Sequence, residues 1–183
     1  MIKLGNRENR KMKGITRNFL IITTLAFLYG CVSPATVEDM VPDVPSGEAY
    51  AFDGGYNLAV SGADGGYVTN VGFQSAAIQA FDASGVFSDS GKKFIISASI
   101  LSVVTDNFGL DLEAKVRVKW ELRPMESSKP IWAAVIATDH TATVGDNFVA
   151  AQRIQTAVEE AAKKNIQSAV GAVVLFAKQE SEG

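Results

Sequence analysis

The 183 residues carry 17 basic and 20 acidic side chains, one histidine and one cysteine, and 47% are hydrophobic. Six of the basic residues and one acid lie in the first 30 positions, so the remainder holds 11 basic against 19 acidic residues, net −8. A segment that acidic argues against nucleic acid and against a basic patch for anionic lipid. A lone cysteine excludes an internal disulfide.

In chain order, the first element is an address. Lys3, Arg7, Arg10, Lys11, Lys13 and Arg17 precede FLIITTLAFLYGC at 19–31. A basic stretch before a short apolar run is the pattern of a secretory signal peptide. About a dozen apolar residues are too few to span the roughly 30 Å of bilayer hydrocarbon as a helix. The run ends in Leu28-Tyr29-Gly30-Cys31, which resembles the lipobox of bacterial lipoproteins. Tyr29 departs from the small residue usual at its place. The resemblance implies cleavage between Gly30 and Cys31 and acylation of Cys31. Several acyl chains on one cysteine would hold a protein firmly, where one chain anchors only marginally. By analogy with enterobacterial sorting, Val32 after the cysteine implies delivery to the periplasmic face of the outer membrane. The expected organisation is a signal peptide over 1–30, a lipid-anchored flexible tether over 31–48 and a single domain over 49–183. Three of the five prolines and several acids in 32–48 (VSPATVEDMVPDVPSGE) suit an extended tether.

Beyond the tether, 56–60 (YNLAV) reads as a strand between Gly-rich segments, Asp53-Gly54-Gly55 and Gly62-Ala63-Asp64-Gly65-Gly66. These lack the spacing of a calcium or phosphate loop and read as turns. A helix is expected over 71–83, capped by Thr69 or Asn70 and stopped by Ser84-Gly85, with Phe73, Ala76, Ala77, Ala80 and Phe81 inside. A strand follows over 92–104, and 105–109 is a turn. At 110–123, seven apolar residues alternate with seven charged ones. Such alternation marks a strand with one dry and one wet face, and the mixed charges predict cross-strand ion pairs. A third strand is expected over 131–138, completing a meander. A long helix over 146–178 has Asp146 as candidate N-cap. Its inner stripe is Phe148, Ala151, Ile154, Val158, Ala161, Asn165, Ala169 and Ala172, with Arg153 and Glu159 mostly elsewhere and Gly171 as a break near its end. The fold class is α+β, an antiparallel sheet (meander) with two helices packed on one face.

Motifs for chemistry are sparse. His140 reads as a surface turn residue, because one histidine without a cysteine in the domain cannot build an ordinary zinc site. No G-x-S-x-G nucleophile elbow occurs. Trp120 and Trp132 read first as core. Together with Phe94 they are also the candidate lining of a ligand cavity or partner surface.

Residues 92–176 resemble small proteobacterial envelope lipoproteins. The resemblance rests on the strand AKVRVKWELR, the strand after it and a terminal helix containing Arg153, Ala157, Glu160 and Lys164-Asn165-Ile166. Such sequences are similar to YajG-like lipoproteins and, more loosely, to auxiliary lipoproteins of ABC-type lipid transporters. The resemblance implies an α+β domain with a non-catalytic envelope role and carries over no cofactor, metal or active site. The expectation is a lipid-anchored, non-enzymatic subunit binding a protein partner in an envelope assembly or transport complex. The alternative is a carrier holding a lipid or small apolar ligand between sheet and helices.

Overall fold

The computed structural model describes residues 33–62, 66–106 and 108–183. A short helix α1 (Val37–Met40) and a 3-10 turn (Glu48–Tyr50) precede the main elements. These are β1 (Gly55–Gly62), α2 (Asn70–Ser84), β2 (Lys92–Thr105), β3 (Leu112–Pro124), β4 (Trp132–Ala142) and α3 (Ala150–Glu182). One open sheet has the order β1-β2-β3-β4. The β2-β3-β4 part is the expected antiparallel meander. β1 joins β2 in parallel, with α2 as the crossover between them, so the sheet is mixed. The architecture is α+β.

Local chemistry explains the elements. The Thr69 hydroxyl accepts the Gly72 N–H at 3.0 Å and starts α2. Gly85, at φ 63°, ends it in the left-handed conformation that glycine tolerates best. In β3 the alternating residues behave as the pattern requires: Leu112, Ala114, Val116, Val118, Trp120 and Leu122 are all buried. β2 contains a break in register between Ile100 and Ser102 that leaves Leu101 unpaired. The extra residue shifts the phase of the strand, so Val103 turns inward and Val104 outward. α2 and α3 cover the inner face, where Phe73, Phe81 and Trp120 pack as tilted rings.

Several expectations need correction. The stretch expected as a flexible tether is, over its described part, a packed layer of the domain. Ala35 and Met40 are buried, the Ala35 N–H donates to Tyr67 O at 2.7 Å, and Gln167 Nε2 donates to Asp43 O at 2.8 Å. α1 packs against both α2 and α3. The proline-rich composition hid the apolar contacts of Ala35, Val37, Met40, Val41 and Val44. Asp146 is no N-cap: its carboxylate accepts from the Thr143 N–H (2.7 Å) and hydroxyl (2.9 Å), closing the turn ahead of the helix. The helix begins later, so Phe148 falls outside the inner stripe and is exposed. Arg153 is buried instead, donating through Nη1 to Asn147 O and Phe148 O, and Glu159 is buried as well. Gly171 does not break α3, which runs on to Glu182. On the wet face of β3 the close ion pairs run along the strand, Lys115–Glu113 and Lys119–Glu121, both at 2.7 Å. Lys115 faces Asp139 on β4, whose charge adds to the attraction, whereas the residues opposite Lys119 and Glu121 are Ser99, Ser97, Val135 and Ala133, which offer no charge. No described helix is long and apolar enough to cross a membrane.

Candidate functional site

Gly30 and Cys31 lie outside the described residues. The chain just after them is tied down: the Thr36 N–H donates to Glu159 Oε1 at 2.8 Å, and Gln155 Nε2 donates to the same oxygen at 2.9 Å. A buried carboxylate is costly unless hydrogen-bonded, and these two donors meet part of that need. Sequence reasoning missed this clamp. Its only linear trace is an acid on a helical stripe otherwise filled by Ala157, Val158, Ala161 and Ala162.

Trp120, Trp132 and Phe94 all project from the inner face of the sheet, but they do not line one cavity. Trp120 is fully buried. Its ring lies 5.8 Å from Phe73, and its indole N–H donates to Asn165 Oδ1 at 2.9 Å. Asn165 Nδ2 donates onward to Ile136 O at 3.0 Å, binding α3 to β3 and β4 through one amide. Trp132 is half-buried at the start of edge strand β4. Phe94 packs into a ring cluster with Phe52 and Phe87 and reaches an open cleft of about 670 Å³ lined also by Lys92, Lys93, Pro124, Met125 and Glu126. Trp120 is thus enclosed by Phe73, Phe81 and Asn165, while Trp132 and Phe94 keep part of their surface open.

A second groove, of about 620 Å³, runs between the free edge of β1 and α2. Tyr56, Leu58, Gln74, Ile78 and Asp82 line it. The Tyr56 hydroxyl crosses it, donating to Asp82 Oδ1 at 2.7 Å and lying 3.1 Å from Ile78 O. Burial first, and then the neighbouring Asp82 carboxylate, raise the Tyr56 phenol well above its ordinary value. Gln74 Nε2 caps Leu58 O at 2.8 Å, so one carbonyl of the edge is already satisfied.

The turn reading of Asp53-Gly54-Gly55 matches the geometry. Asp53 receives Lys93 Nζ at 2.8 Å and Ser90 Oγ at 2.7 Å, and these donors, Lys93 foremost, lower its carboxyl. His140 lies within β4 rather than in a turn, because that strand continues to Ala142. Its Nδ1 is 3.3 Å from Lys164 Nζ, which also donates to Asp139 O at 3.0 Å.

No protein-family model matches the chain, and no curated protein matches it in sequence. Solved structures do resemble it. A Xanthomonas campestris protein of family DUF330 superposes with a TM-score of 0.59 at 12% identity, covering 78% of this chain and 97% of that one. A candidate lipoprotein from Caulobacter crescentus gives 0.47 at 16% identity, over 67% of this chain and 91% of that one. The PelC dodecamer from Paraburkholderia phytofirmans gives 0.47 at 16% identity, over 69% and 90%. At such identities the likeness to the DUF330 protein is one of fold alone, and the other two are looser still.

Proposed function

We propose that the chain is a lipoprotein of the bacterial envelope, acylated on Cys31 and held at the periplasmic face of the outer membrane. In this reading the α+β domain is a non-catalytic interaction subunit of an envelope assembly or transport complex. One observation carries it: a basic segment and a short apolar run end on the only cysteine of the chain. The fold shared with the DUF330 protein and the YajG-like character of 92–176 are compatible with it. The outer face of the sheet, which no other described element covers, is the surface offered to a partner. There the mixed charges of β3 run between small residues such as Ser97, Ser99, Ala133 and Ala137.

The test uses the full-length chain in its native envelope. Labelled palmitate should enter the parent and not Cys31→Ala, and mild crosslinking should recover a stoichiometric protein partner that the variant loses. Palmitate incorporation without any crosslinked partner would leave a lipoprotein and sink the subunit role. No incorporation would sink the anchor.

A further inference from the structure

The exposed apolar side chains are unevenly placed. β1 and β2 end, and β3 begins, at the same end of the sheet, as the pairings Gly62–Ile100 and Thr105–Ala114 require; Leu112–Ala142 puts the end of β4 there too. Three connections meet at this end: β1 to α2, β2 to β3, and β4 to α3. Among the described residues the four most exposed large apolar side chains all lie in these connections or in the helix turn that follows one. They are Phe108 (94%) and Leu110 (75%) between β2 and β3, Phe148 (88%) between β4 and α3, and Val71 (74%) in the first turn of α2. Val149 extends the set. Large exposed apolar groups gathered in one region of a small domain mark a contact surface.

The chain arrives at this same end. Ala35 pairs with Tyr67 just ahead of α2, and the Gly72 backbone lies beside Ala35 O. Ala35 is only four Cα steps from Cys31. Fully extended they reach at most about 14 Å. That compares with a headgroup layer of roughly 5–8 Å on each side of a bilayer. An acylated Cys31 would therefore bring the end bearing Phe108 and Phe148 down to the headgroups, because from Ala35 onward the chain is packed on the domain and adds no slack.

We propose that this end of the domain inserts its exposed apolar side chains, Phe108, Leu110 and Phe148 from the loops and Val71 from the first turn of α2, into the interface of the lipid bilayer. The inference rests on the lipid-anchor reading for the proximity, and on exposure and topology for the surface. Charge selects the lipid. Asp106, Asp111 and Asp146 flank the tips, and no lysine or arginine lies in 106–111 or 143–149. The surface is thus suited to zwitterionic headgroups and gains nothing from anionic ones. Docking would orient the domain, holding the long axis of the sheet away from the membrane and presenting the cleft at Phe94 and Met125, at the other end, to the periplasm.

The experiment reads insertion directly. Full-length chain carrying Phe148→Trp, or Met125→Trp at the opposite end, is reconstituted into phosphatidylcholine vesicles with brominated acyl chains. The emission of the parent, from Trp120 and Trp132, is subtracted, and the mass of the Cys31 peptide is measured on the same samples. Both substitutions fall on exposed side chains, so the fold should tolerate them. Quenching of Phe148→Trp, with Met125→Trp unaffected, is expected. Equal quenching at both ends, or none at Phe148→Trp, would overturn the proposal even with Cys31 acylated. An unmodified Cys31 would remove the anchor reading, and the quenching pattern would still decide whether this end enters lipid. Replacing phosphatidylcholine with an anionic lipid should weaken the quenching; a gain would contradict the assigned surface.

Discussion

At the scale of single residues, the polar groups that matter are those with no water to fall back on. Asn165 holds Trp120 and the carbonyl of Ile136, and its Nδ2 also lies 3.3 Å from the Thr138 hydroxyl. Asn165→Ala leaves the indole N–H buried without its acceptor and should cost about 3 kcal/mol, the sum of lost bonds and stranded groups. Urea unfolding of the two chains would show it as a lower midpoint at unchanged slope. Tyr56 makes a pH prediction. Its phenol is raised, so the fold favours the neutral form. The stability this contributes is complete below the unfolded tyrosine value near pH 10 and drains away as the pH rises above it. Tyr56→Phe should therefore cost about 1 kcal/mol at neutral pH, and the gap between variant and parent should shrink in alkaline urea titrations. A gap independent of pH would contradict the assigned hydrogen bond to Asp82. Of these residues, Asn165 was legible as a member of the helical stripe. The role of Tyr56 was not, because its partners lie 22 and 26 positions away.

Elements follow local rules where the pattern is periodic and depart from them where a neighbour decides. α2 was readable from Thr69 to Gly85 because both caps are local chemistry. Gly85→Ala forces a side chain into the left-handed region, against Glu48 Cγ, and should cost about 1–2 kcal/mol, with a matching fall in thermal midpoint. The start of α3 was misplaced because Asp146, a good capping residue, is drawn into a turn by Thr143, and Arg153 takes over the loop carbonyls. The bulge at Leu101 was missed. Its only linear trace is the spacing of Ser97, Ser99 and Ser102, two residues and then three, in a strand otherwise too apolar for the change of phase to stand out.

For the whole molecule, the largest revision concerns residues 33–47. Composition reads them as a spacer, yet Met40 is completely buried against the helices. Met40→Ala should therefore destabilise the domain by about 2–4 kcal/mol, the range for a buried large-to-small change. Calorimetry of the full chain would measure it, and a change below about 0.5 kcal/mol, the level of a surface substitution, would restore the spacer. The same packing leaves Ala35, four positions after Cys31, already fixed on the domain.

What the sequence determined by itself is the part carried by neighbours along the chain: the caps of α2, the dry and wet faces of β3, and the α+β class. These depend on spacings of two to four residues, which linear reading resolves. Tertiary structure alone decided the parallel placement of β1, the docking of 33–47, the enclosure of Trp120 and the gathering of Phe108, Leu110, Val71 and Phe148 at one end. Each joins residues far apart in the chain. Burial there is won by shape and hydrogen bonding between elements, and composition carries no record of which element meets which.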